Sequence, residues 1–248
     1  CSLSVLCLSS LASLDVQAVP EKYGSYVGTA IRLGKDAKGN NVSFRALVIR
    51  LDDKGDACVV FDGDTLRMAG GWTQGGLKLE GLPFTSGHGR FPSHNGEKVF
   101  VTQAVPGWAS PEGELADSRE GKYPPLGPLP REWSKFGGHY VHGDRVVLKY
   151  SVGGAQVLES PSLYQKGEAK AIVRTIRIEG DGKPKIIVLS DVAEGCSVAL
   201  AHAPKGAKVE AVGGINLLRL SAFKNVLSFQ VVYARGDASS LVGSVPAP

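Results

Sequence analysis

Between Phe61 and His94 the chain gathers the side chains that do chemistry. Two glycine-rich runs carry them: Phe61-Asp-Gly-Asp-Thr-Leu-Arg-Met-Ala-Gly-Gly-Trp72 and Thr85-Ser-Gly-His-Gly-Arg-Phe-Pro-Ser-His94. Asp62 and Asp64 form a carboxylate pair, the arrangement that binds calcium or divides acid and base roles. A calcium loop needs further oxygen ligands, and the chain continues Thr65-Leu66-Arg67 without a third acid. The plainer reading is that an Asp caps a turn while Arg67 pairs with a carboxylate, so that Asp62, Asp64 and Arg67 support the loop. His88 and His94 bring no Cys or acid between them, and the two rings of His139-x-x-His142 point to opposite faces of a strand, so no metal site is expected. Ser86, Arg90 and His94 surround His88 with donors, while Trp72 and Trp108 offer flat apolar faces. Sugars present one apolar face and a rim of hydroxyls. A ligand-facing surface of Trp72, His88, Arg90 and Trp108 would suit a carbohydrate, whereas two core tryptophans would leave no such surface. The enzymatic alternative is a sugar-active hydrolase or lyase using Asp62 or Asp64 with His88. No nucleophile elbow, phosphate loop, dinucleotide fingerprint or zinc-protease helix occurs, so no residue is assigned a catalytic role.

The elements that must position these residues read as strands. In 248 residues, 32 glycines and 14 prolines are scattered between short apolar runs, which suits tight turns better than long helices. Residues 44–51 and 57–61 form a hairpin that delivers the chain to Asp62. Short strands are expected at 66–69 and 76–79. Gly153-Gly154 joins 145–152 to 155–159, and Ala171–Glu179 alternates along a strand. Turns then recur about every ten residues to Tyr233, the rhythm of a sandwich or barrel. The expected fold is an all-β antiparallel sandwich over residues 19–236. A Pro- and Gly-rich irregular excursion interrupts it at about 103–137, and a linker or tail follows at 237–248. Loops of that length tend to be functional.

Residues 1–18 are apolar and small and close on Val16-Gln17-Ala18, the back half of a secretory signal peptide. The expected location is periplasmic or secreted. No other apolar run is long enough for a membrane span. Removing the leader leaves Cys58 and Cys196, free to pair in an oxidising compartment or to stay as two separately buried thiols. A net charge of +4, with lysines spread singly, argues against a nucleic-acid partner.

Two segments carry a family resemblance. The run from Phe61 through Trp72 to Gly76, and Gly138-His-Tyr-Val-His-Gly-Asp-Arg-Val-Val-Leu-Lys-Tyr-Ser-Val-Gly-Gly154, resemble an uncharacterised amino-terminal domain, domain of unknown function 6797. That domain is found in large exported proteins of planctomycete-type bacteria. In longer relatives it precedes a sorbosone-dehydrogenase-like propeller and a c-type cytochrome module. The resemblance therefore implies an accessory or carbohydrate-interaction module for periplasmic sugar oxidation, with a cytochrome or dehydrogenase module as partner. It implies no cofactor in this segment, and a structural spacer without ligand is the third class of reading.

Overall fold

The computed structural model describes residues 24–36, 39–119, 127–193 and 195–248; the expected leader lies outside them. The strands run in chain order as β1 (Tyr26–Asp36), β2 (Gly39–Arg50), β3 (Cys58–Asp62), β4 (Arg67–Thr73) and β5 (Leu77–Lys78). A four-residue helix, α1 (Leu82–Thr85), leads to β6 (Ser93–His94) and β7 (Glu97–Val101). After the excursion come β8 (Ser134–His142), β9 (Arg145–Val152), β10 (Ala155–Lys166), β11 (Ala169–Glu179) and β12 (Lys185–Asp191). The chain ends with β13 (Cys196–Ala201), β14 (Lys208–Val212), β15 (Ile215–Leu220), β16 (Val226–Arg235) and the short α2 (Ser239–Val242).

All named pairings are antiparallel. They build a five-stranded sheet β1-β2-β3-β4-β7, a six-stranded sheet β13-β16-β11-β10-β9-β8, a three-stranded sheet β12-β15-β14 and the small ladder β5-β6. The first three sheets share one core. Val59, Phe61 and Met68 meet Tyr150, Ile172, Ile176, Phe229 and Tyr233, with Ile187, Leu189 and Leu218 closing it. This is the expected all-β, sandwich-like fold.

Both large sheets are buried on their second faces too. Cys58, Val60, Ala69, Trp72 and Leu77 form a separate cluster behind the five-stranded sheet, and Ala171, Val173, Val232 and Ala234 form another behind the six-stranded one. Strands buried on two faces lose the apolar/polar alternation of a half-exposed sheet, and β3 and β4 are accordingly buried at every position. At Gly71 the two large sheets approach closely. A Cβ there would lie 2.6 Å from the Ile172 side chain and 2.7 Å from Phe100, so only glycine fits.

Two expected boundaries change. The excursion ends earlier, because β8 begins at Ser134, and its first part is held like a strand: Trp108 bridges Ile187, and Val188 N–H donates to Gly107 O at 2.9 Å. Residues 237–248, expected as a linker or tail, instead pack on the six-stranded sheet. Ala238, Leu241 and Val245 cover its outer apolar cluster, and Tyr164 donates to Ser244 O at 2.9 Å. Three aliphatic side chains suffice because the face beneath them is itself made of Ala and Val.

Candidate functional site

The sequence-derived surface around Trp72 does not form. Trp72 is fully buried behind the five-stranded sheet, donating its indole N–H to Gly75 O at 2.8 Å and stacking on His94 with ring centroids 4.4 Å apart. Gly96 presses on it so closely that a Cβ there would lie 2.1 Å from the indole. Trp108 is 1% exposed in the central core, edge-on to Tyr150. The two tryptophans thus belong to different clusters, because their hydrophobic surface drives both inside. His88 and Arg90 are exposed on the loop between β5 and β6, away from any Trp face.

Asp62 caps its turn and meets Arg67, the arrangement of the plainer reading. Asp62 is 2% exposed; its Oδ1 accepts the backbone N–H groups of Asp64 (3.0 Å) and Thr65 (3.3 Å), capping the turn after β3. Arg67 is fully buried. It donates to Asn41 Oδ1 at 3.0 Å and Thr102 O at 2.8 Å, with Asp62 Oδ2 at 3.5 Å. Asp64 faces the exposed Arg45 at 3.5 Å, and burial followed by the Asp62 charge raises its carboxyl above the usual range. Cys58 and Cys196 are free thiols. Cys58 is sealed in the second cluster, where burial first and the nearby Asp52 charge second push its thiol up to about 12.

A cleft of about 770 Å³ offers a different site, within the size range of small-molecule pockets. One wall is the excursion, through Ala109–Gly113 and Arg131–Glu132. The others are the β9–β10 turn at Gly153-Gly154, the turn at Asp181–Pro184, and the end of β15 with Ser221. At the floor Lys185 Nζ donates to both oxygens of Asp181, at 2.8 Å each, with the two side chains 8% and 13% exposed. Gly154 N–H and Lys183 N–H each reach Asp181 at 3.1 Å. Burial works against that charge, but Lys185 and the two backbone donors outweigh it and hold the Asp181 carboxyl below its usual range. The pair therefore fixes two distant turns against each other. Around it the lining carries the cations Arg131, Lys183 and Arg219 and the acids Glu112 and Glu132, so charges of both signs are present. Among the described residues none of the lining side chains is aromatic.

The sequence specifies the Gly153-Gly154 turn, but not that it meets the turn at Gly180–Pro184. The contact joins residues 27 apart through Asp181, and spacing carries no signal for it. Nor is a buried ionic group evident in the sequence. Arg174 reaches Glu159 through Nε (2.5 Å) and Nη2 (3.2 Å), Tyr150 donates to Glu159 at 2.6 Å, and Arg174 donates to Tyr233 at 2.8 Å. With Glu159 0% and Arg174 1% exposed, this group braces the core and meets no ligand. Among the described residues no cluster of three or more His, Cys, Asp or Glu could hold a metal ion. No helix among them is long and apolar enough to cross a membrane.

Residues 59–159 match a known family. Its model is described as Domain of unknown function (DUF6797), the domain that the sequence resembles. The matched span runs from β3 into β10, and so contains the Asp62–Arg67 turn, all three buried tryptophans, the whole excursion and one side of the cleft. No curated protein and no solved structure matches the chain.

Proposed function

We propose that this is an exported interaction module that takes an uncharged, hydroxyl-rich ligand of the carbohydrate class, and that its seat is the cleft beside Asp181. The observation that carries the reading is the lining itself. Guanidinium and ammonium donors (Arg131, Lys183 and Arg219, the last also paired with Glu210) and carboxylate acceptors (Glu112, Glu132) together line a cavity of about 770 Å³. Vicinal hydroxyls both donate and accept, so they can satisfy such a rim, whereas a polyanion or polycation would meet like charge on one side. With no aromatic platform among the described lining residues, binding rests on hydrogen bonds exchanged with water, and the affinity expected is in the millimolar to high micromolar range. In a larger assembly the module would present or retain sugar beside a dehydrogenase or c-type cytochrome partner.

The test is a glycan-binding screen on the purified chain, repeated with Arg131→Ala and Glu132→Ala, both exposed residues whose loss leaves the core intact. Either substitution is expected to weaken binding about tenfold with an unchanged melting temperature. Glycan binding insensitive to both would remove the cleft as the seat. Turnover of the bound sugar would favour the hydrolase or lyase reading, and no binding at all the spacer.

A further inference from the structure

The hairpin β5-β6 carries a loop whose helical tip buries no side chain. Its stem is short and well held: Leu77 pairs with His94, Lys78 with Ser93, and Arg32 N–H of β1 donates to Pro92 O at 2.8 Å. Leu77 plugs into the cluster around Trp72. At the far end α1 folds back on itself, with the Phe84 and Thr85 N–H groups both donating to Gly81 O, and none of its residues is buried. Leu82 is 60% exposed and Phe84 41%. An apolar Leu-Pro-Phe tip is therefore presented to solvent by a helix with no packing role, where ordinary surface loops show polar turn residues.

The fixed charge within the loop is a cation. From Gly81 to Gly96 Arg90 is the one Lys, Arg, Asp or Glu; Glu80 and Glu97 flank the neck, with Lys78 and Lys98 close to them in sequence. Beneath the loop, Arg32 lies over the Phe91 ring at 5.5 Å, and Phe91 meets the half-exposed Phe44 edge-on at 5.9 Å. We propose that this loop is an interfacial anchor for an anionic lipid surface, with Leu82 and Phe84 entering the acyl boundary while Arg90 and Arg32 lie at the level of the headgroup phosphates. An apolar tip backed by cations matches both layers of such an interface. A soluble acidic partner would use the cations but leave Leu82 and Phe84 unmatched. The contact is small, so the association is weak and reversible and adds to any other attachment.

The experiment is co-sedimentation of the full chain with vesicles of phosphatidylcholine alone and of phosphatidylcholine containing about one-third phosphatidylglycerol. Binding to the anionic vesicles only, weakened by added salt, is expected. The double substitution Leu82→Ser with Phe84→Ser should lower partitioning at least tenfold, and Arg90→Glu about fivefold or more, since one basic residue near such a surface is worth about that factor. All three side chains are exposed, so melting temperature and the circular dichroism spectrum should not move. No binding to anionic vesicles overturns the proposal, as does binding that survives the loop substitutions. Equal competition by inorganic phosphate or by soluble polyglutamate would show that a free anion or an acidic chain is the ligand, which also overturns it.

Discussion

Removing one partner of the buried Glu159–Arg174 pair should unfold more of the protein than removing both. The pair sits between the sheets, with every strong group engaged: Arg174 holds both Glu159 oxygens, Tyr150 donates to Oε2, and Tyr233 accepts from Arg174 while donating to Leu189 O at 3.2 Å. Burial opposes the guanidinium charge, but Glu159 outweighs it and keeps Arg174 protonated well above the usual arginine range. Burial, then the Glu159 charge, raises Tyr150 well above its own. Glu159→Leu would leave a guanidinium with 1% exposure and no counter-charge, a situation that costs about 3–5 kcal/mol. Arg174→Leu strands the carboxylate at a similar cost. In the double variant no charge is stranded, and the added apolar volume fills part of the space. The residual loss is then the Tyr150 hydroxyl partner, about 1–3 kcal/mol, since Tyr233 keeps Leu189 O. Two independent losses would sum to about 6–10 kcal/mol, so the cycle should return a coupling of at least about 2–3 kcal/mol. Urea unfolding of the four proteins measures it. If either single variant fails to fold, a folded double variant demonstrates the same coupling. Additivity within about 0.5 kcal/mol, or single variants that each cost under about 1 kcal/mol, would refute the reasoning.

Two further outcomes are expected from the cluster behind the five-stranded sheet and from the central core. Trp72→Ala and Trp108→Ala should each lose about 3–5 kcal/mol of stability in chemical denaturation, because both are fully enclosed; retained stability in either would mean that the side chain is not a core residue. His94 is held neutral, its pKa lowered from 6.5 to about 4 by burial first and the Lys98 charge second. The unfolded chain thus takes up a proton before the folded one does. This contribution is complete above about pH 6.5 and falls away as the pH drops towards 4, by at most about 3 kcal/mol for a shift of about 2.5 units. Urea midpoints at pH 7 and pH 4.5 should differ more for the native chain than for His94→Phe, and an equal difference in the two would exclude His94 as the source.

Most of the strands were legible in the sequence because their turns were. Gly153-Gly154, Asp52–Asp56 and Gly180–Pro184 are chemically specified corners, and the first two close hairpins between the strands expected. What could not be read is which faces are doubly covered. A tryptophan among glycines, such as Trp72, looks like a side chain turned outward by a permissive backbone. Here the glycines have the opposite use, letting Gly71 and Gly96 bring neighbouring layers into contact. The same local text, glycine beside aromatic, serves an exposed platform and a crowded core equally well, and only the long-range partners Ile172, Phe100 and His94 decide between them.

Charge is as ambiguous a signal as aromaticity. On β11 the alternation places Arg174 in line with Ile172, Ile176 and Ile178, so periodicity assigns it to the core face while its charge suggests solvent. Periodicity was right, because Glu159 on the neighbouring strand reaches the same layer and makes the burial tolerable. Arg67 repeats the pattern with Asn41, Thr102 and Asp62. Residues that looked like chemistry thus hold the layers together, and the polar side chains left to meet other molecules lie where the sequence reads as turn and loop: around Asp181, and on the hairpin that carries Arg90.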